Sequence, residues 1–252
     1  MKLLSLARDL QRRKARERQS LFVAEGVRAV EELLASSLEV VGALVTAESS
    51  SAERLAKVRA AFEDRRVALT EVSERDFLSA SDTDTPQGVL AVAKIPDRSL
   101  TSVTLTERGR MLVLDAIQDP GNVGTILRTA AAFDVTATVA MPGTVDLWNA
   151  KVVRSAMGAL FRHHALSASW NQLDEFLAAS GVTFWGADAA GARLGDRGAP
   201  SKLAIAVGNE GNGLTSDARS RVAHTVSIPT ASTVESLNVA VAAGILLHHF
   251  RP

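Results

Sequence analysis

Residues 111–130 read MLVLDAIQDPGNVGTILRTA. An apolar run over 111–117 gives way to a Pro120-Gly121 turn, and the helical spacing that follows, over 122–133, marks a strand feeding a helix. The pattern repeats downstream: apolar runs at 137–141, 182–187, 203–207 and 225–228 read as strands, and 150–160 and 236–250 as helices. Strands and helices in alternation predict a mostly parallel sheet with helices on both faces. On such sheets ligands sit at the carboxyl ends of the strands. The polar, glycine-rich stretches fall at those ends.

Upstream, 21–24, 40–46, 67–72 and 88–95 read as short buried strands, and 27–35 and 52–62 as helices, with a further helix starting near Ser73 and Asp76. The fold class is therefore α/β: a small N-terminal α/β domain over 1–96, a polar linker over 97–110, and a parallel-sheet domain over 111–252. With 46% hydrophobic and 22% charged residues, the 252-residue chain has material for one large domain or two modest ones. There is no signal-peptide pattern and no uncharged apolar run of membrane-spanning length, so the expected address is the cytoplasm. Zero cysteines exclude disulfides, zinc ribbons and thiol chemistry. No metal is expected, because His163, His164, His224, His248 and His249 lack ligand spacing with carboxylates and read as surface or helix-end residues.

Net charge is zero, yet residues 1–30 carry an excess of five positive charges, with Arg12, Arg13, Lys14, Arg16 and Arg18 at its centre. Either this is a solvated helix face, or it is an arm that contacts phosphates.

Three constellations could carry chemistry. In the first, Asn122 is a plausible N-cap, whereas Arg128 lies well around the helix from it and would have to reach back toward the strand-end loop. A guanidinium placed there suits a phosphate or a carboxylate. The second, GNEGNGL at 208–214, sets three glycines around one carboxylate, Glu210. It lacks the Lys-Ser/Thr ending of a phosphate loop and the GxGxxG spacing of a dinucleotide fold. A tight turn is the plain reading, and a ligand-cradling loop is the other. The third, SIPTASTVESLNVAVAAGI at 227–245, runs from a strand through a polar loop into a helix apolar on most sides, which must be buried or in an interface. Ser236 and Asn238 stand at its start, where they could cap it, face a ligand, or both.

Together, DPGNVGTILRTA, GNEGNGL and SIPTASTVESLNVAVAAGI resemble, in order, the three motifs of SpoU/TrmH-type RNA 2′-O-methyltransferases. The RSAMGALF segment around Arg154 is similar as well. The stretches KARERQSLFVAEG at 14–26 and TPQGV at 85–89 resemble more loosely the family's N-terminal substrate-binding domain.

The resemblance implies a SPOUT domain tied in a deep trefoil knot and working as a homodimer. Its cofactor would be S-adenosylmethionine, held by Gly208, Asn209, Ile228, Leu237 and Asn238. Its reacting centre would comprise Asn122, Arg128, Glu210, Ser236 and Asn238. RNA would be gripped by Arg12, Arg13, Lys14, Arg16, Arg18 and Arg154. Methylation of a ribose 2′-hydroxyl of structured RNA follows, with 23S ribosomal RNA preferred because the two-domain layout resembles the ribosomal branch. A transfer-RNA enzyme and a catalytically silent RNA-binding module are the alternatives. A guanidinium stays protonated, so Arg128 reads as a phosphate clamp, with Glu210 and Ser236 orienting the hydroxyl or relaying its proton. The chain departs from the third motif at Thr230 and Ser232, where methionine and glycine often stand.

Overall fold

The computed structural model describes residues 2–46, 52–195, 198–231, 233 and 236–251; Ser232 lies outside them. In chain order the elements are α1 (Lys2–Asp9), α2 (Arg13–Gln19), β1 (Leu21–Glu25), α3 (Val27–Leu34), β2 (Val40–Thr46), α4 (Ala52–Asp64), β3 (Leu69–Val72), α5 (Glu74–Leu78), β4 (Val89–Lys94), β5 (Arg110–Leu114), α6 (Pro120–Ala132) and β6 (Ala137–Ala140). Then come α7 (Ala150–Ser155), α8 (Ala159–Arg162), β7 (Ala165–Ser167), α9 (Trp170–Ser180), β8 (Thr183–Arg193), β9 (Leu203–Val207), α10 (Ser216–Arg219), β10 (His224–Ser227) and α11 (Val239–His249).

The chain forms two compact units, Met1–Asp97 with Trp148–Arg162, and Arg98–Leu147 with His163–Pro252. In the first, a four-stranded sheet runs β1-β4-β2-β3, with β4 antiparallel to both neighbours and β2 parallel to β3. Helix α1 supplies Leu4 and Ala7 to a core that also holds Leu10, Val23, Leu44, Phe77 and Leu90.

The segment 148–162, expected in the C-terminal domain, belongs to this first unit. The cause is aromatic: Phe22 of β1 packs on Trp148 at 4.5 Å and on Phe161 at 5.8 Å between ring centroids. An ion pair of 2.7 Å from Arg162 to Glu32 adds to it.

The second unit is built on a six-stranded, wholly parallel sheet ordered β10-β8-β9-β5-β6-β7. Strands β5, β6 and β9 are buried at every position, as sheets covered on both faces require. From β5 the chain winds outward through β6 to β7, then returns to lay β9 on the opposite side of β5. The winding therefore reverses between β5 and β9, and the crevice at their carboxyl ends is where doubly wound sheets hold ligands.

Several expectations are corrected by packing. The stretch 97–110 is no free linker, because Leu100 and Leu105 are buried in the core of the second unit. Helix α6 begins at Pro120 and is capped by Asp119, whose carboxylate accepts from the Asn122 amide at 2.7 Å, so Asn122 is not the cap. Helix α11 begins at Val239 with Asn238 as its cap, leaving Ser236 outside it. Helix α9 is absent from the sequence reading, although its capping box of Ser169 and Gln172 and its Gly181 terminator at φ 64° were written in the residues.

His163 is not a surface residue. It is 7% exposed, and its Nε2 lies 2.7 Å from the Thr138 hydroxyl. Burial, reinforced by Arg98 and His164, pushes its imidazole down to about 4. The unfolded chain then takes up this proton before the folded one, so stability falls as pH drops from about 6.5 toward 4. By pH 4 the loss from this residue reaches about 3 kcal/mol. Urea titrations between pH 7 and 4 should show the wild type losing that much more than His163→Gln. Parallel pH curves for the two proteins would contradict it.

Candidate active site

At the carboxyl end of β5 the chain is still pinned to β9, with the Asp115 amide donating to the Val207 carbonyl at 2.9 Å. Asp119 then starts α6, and this frees the Asn122 side chain to point elsewhere. On the neighbouring strand end, Gly208 opens the GNEGNGL loop. A Cβ at Gly208 would stand 2.4 Å from the Gly213 carbonyl group, so only glycine lets the loop close on itself. Asn209 closes it. Its amide and carbonyl pair with Gly213 at 3.0 and 2.9 Å, its Oδ1 accepts from the Gly211 and Asn212 amides, and its Nδ2 donates to the Ala116 carbonyl at 3.2 Å. Asn209 thus builds the loop, with its backbone and both ends of its side-chain amide engaged in holding it closed.

The loop presents Glu210, exposed at its tip. Three polar residues from three motifs meet here, and their hydrogen bonds run in one direction. The Asn238 Oδ1 is engaged by the first amides of α11, Ala240 at 2.9 Å and Val241 at 3.3 Å. Its Nδ2 must therefore face outward, and it donates to the Asn122 Oδ1 at 3.0 Å. The Asn122 Nδ2 then faces Glu210 and donates to Oε1 at 2.7 Å. Because an ionised carboxylate only accepts, the helix cap fixes both amide orientations. Glu210 Oε2 has no hydrogen-bond partner among the described residues.

The other candidates take no part in these hydrogen bonds. Arg128 is exposed on α6, with no hydrogen bond or ion pair among the described residues. Ser236 is exposed two residues before the cap. Gly208, Ile228 and Leu237 are half-buried at the ends of β9 and β10 and just before α11. The inter-element backbone hydrogen bonds among the described residues use none of these three. Backbone groups without such a bond among the described residues, next to the apolar side chains of Ile228 and Leu237, fit an adenosine-type ligand such as S-adenosylmethionine, whose base needs a flat apolar seat and neutral partners for its edge. No group of three or more metal-ligating side chains occurs among the described residues, and no helix there is long and apolar enough to cross a membrane.

The basic residues of the first unit divide. Arg12 pairs with Asp9, and Arg13 with Glu17 at 2.7 Å, while Lys14 and Arg18 are exposed. Arg16 is 4% exposed, and its guanidinium donates to the Leu10 and Gln11 carbonyls at 2.7 and 2.8 Å. It ties α2 to the preceding turn and is removed from the phosphate-contacting set. Arg154 lies 3.7 Å from Asp82, with its Nη1 enclosed and without a hydrogen-bond partner among the described residues.

Fold and site define a doubly wound parallel α/β domain with a directed polar triad at its switch point. Comparison with known proteins names the family: residues 109–248 match the SpoU rRNA Methylase family, to which this chain belongs, and residues 5–91 match an MRM3-like substrate binding domain. A 23S rRNA (guanosine(2553)-2'-O)-methyltransferase of Bacillus subtilis, RlmP, is 34% identical, over 97% of this chain and 94% of that protein. The AdoMet-bound rRNA methyltransferase from Sinorhizobium meliloti superposes with a TM-score of 0.86 at 26% identity, covering 99% of this chain and 94% of the other. A TrmH-family RNA methyltransferase, described as putative, from Porphyromonas gingivalis gives 0.83 at 31%, covering 98% and 96%.

Proposed function

We propose that this protein transfers a methyl group from S-adenosylmethionine to a ribose 2′-hydroxyl of ribosomal RNA, with 23S RNA as the substrate. The observation that carries this reading is the one-way hydrogen-bond chain from Asn238 through Asn122 to Glu210 at the sheet's switch point. Membership of the SpoU family and the full-length similarity to RlmP support the substrate class.

S-adenosylmethionine, when bound, supplies an electrophilic methyl group on a sulfonium. The backbone around Gly208, Ile228 and Leu237 holds it. Glu210, fixed through Oε1, offers Oε2 to the ribose hydroxyl and takes its proton as the oxygen becomes nucleophilic. Asn122 keeps that carboxylate in place, and Ser236 adds a hydroxyl on the exposed side. Arg128 clamps an RNA phosphate, and Arg12, Arg13, Lys14, Arg18 and Arg154 contribute to RNA binding on the first unit. The chain threads through the family's trefoil knot and acts in the cytoplasm. It pairs as a homodimer through α11, whose outer face exposes Val241 at 52% and Ile245 at 37%.

Calorimetric titration with S-adenosylmethionine tests the reading. Saturable binding at one site per chain is expected, weakened in Asn238→Ala, together with loss of a specific 2′-O-methyl mark in ribosomal RNA when the gene is deleted. Absence of donor binding by the wild type would instead favour a catalytically silent RNA-binding module. Arg128→Lys keeps the charge but loses the bidentate fork, so kcat/KM for RNA should fall about tenfold or more with donor affinity unchanged. Near-normal turnover of that variant would remove Arg128 from the clamp role.

A further inference from the structure

We propose that Asp115 is a positioning residue for Glu210: it anchors the exit of the GNEGNGL loop, through Thr215, to the end of β5, and so sets where the Glu210 carboxylate stands against Asn122. The inference rests on the methyltransferase reading of the site.

Asp115 is fully buried, an environment that carboxylates avoid unless they are well hydrogen-bonded. Both of its oxygens turn to a single residue: Oδ2 accepts from the Thr215 amide at 2.7 Å, and Oδ1 from the Thr215 hydroxyl at 3.0 Å. That hydroxyl in turn accepts from the Ala218 amide at 3.2 Å, which leaves its own proton for Asp115. Every donor is matched with the carboxylate ionised. Burial pushes the carboxyl upward, and the two Thr215 hydrogen bonds oppose it.

The loop is held at its other points as well. Asn209 Nδ2 reaches the Ala116 carbonyl at 3.2 Å, and Arg219 Nε donates to the Leu214 carbonyl at 3.1 Å. Asp115 and Ala116 are consecutive, so the end of β5 grips the loop at its entrance, by Asn209, and at its exit, by Thr215. Five residues after Thr215's carboxylate anchor, on the same strand-end loop that leads from β5 into α6, lies the Pro120 start of the helix that carries Asn122. One short segment therefore fixes both partners of the 2.7 Å bond between Asn122 and Glu210. Displacement of such a pair by an ångström is enough to cost turnover.

Asp115→Asn replaces one acceptor by a donor facing Thr215. It is expected to lower kcat about 10- to 100-fold with the KM for S-adenosylmethionine little changed. Thr215→Val should reproduce the loss and Thr215→Ser should restore it. A general packing defect would lower kcat whether or not Glu210 is intact. A positioning role predicts instead that Asp115→Asn adds little once Glu210→Gln is present. An unchanged kcat, or a full further loss in the Glu210→Gln background, would overturn the proposal. Should the wild type prove unable to methylate ribosomal RNA, the functional reading fails separately. Hydrogen exchange then decides the anchor: faster exchange of the Gly211 and Asn212 amides in Asp115→Asn and Thr215→Val supports it, and unchanged exchange overturns it.

Discussion

Glu210→Gln is expected to lower the rate of methyl transfer by about 10²- to 10³-fold while leaving the fold and donor affinity intact. The glutamine carbonyl can still accept from the Asn122 Nδ2, so the 2.7 Å hydrogen bond and the loop survive. What disappears is the negative oxygen that would take the ribose proton. Glu210 is exposed, so the substitution leaves no buried group without a partner. Single-turnover transfer to ribosomal RNA, beside calorimetry with S-adenosylmethionine, separates the two quantities. A rate within about threefold of wild type would take the proton-accepting role from Glu210.

Gly208→Ala should act by a different route and abolish donor binding together with much of the domain's stability. The added Cβ would meet the Gly213 carbonyl carbon and oxygen at 2.4 Å and the Leu214 amide at 2.5 Å. These are backbone atoms, and they cannot swing away as a flexible side chain does. Relief requires opening the Asn209–Gly213 pairing, and overpacking of this kind costs about 1–3 kcal/mol or more. Thermal denaturation with and without S-adenosylmethionine is the measurement. A normal melting temperature with normal donor-induced stabilisation would show that the loop tolerates the methyl group.

Much of this architecture was legible in the residues. Parallel strands buried on both faces are long apolar runs, and 111–117 and 203–207 announced β5 and β9 without help from tertiary structure. Asn122, Glu210 and Asn238 could be named, because each sits in a motif at a strand-to-helix junction. Their mutual hydrogen bonds could not be named, since sequence separations of 88 and 116 residues leave no local trace. The two cap assignments show the limit well. Asp119 and Asn122 are both good capping residues, as are Ser236 and Asn238, and only backbone geometry decides which begins the helix.

Arg16 and His163 are buried against the expectation from sequence, and in neither does the residue pattern mark the partner that satisfies the side chain. A charge run predicts exposure on average, but a guanidinium can be buried when backbone carbonyls at a turn satisfy it, as Leu10 and Gln11 do here. A histidine beside another histidine reads as a polar pair until the Thr138 hydroxyl is found across the sheet. The placement of 148–162 with the first unit depended on Phe22, more than a hundred residues earlier.

The direction of the hydrogen-bond chain also bears on biosynthesis. Its polarity originates in the amides of Ala240 and Val241, which hold the Asn238 carbonyl oxygen. A nascent chain that has already displayed Asn122 and the Glu210 loop outside the ribosome still lacks the group that orients them. Until α11 emerges and winds, the Asn122 amide lacks the Asn238 donor that sets its orientation, so the alignment of the proposed carboxylate waits on this helix.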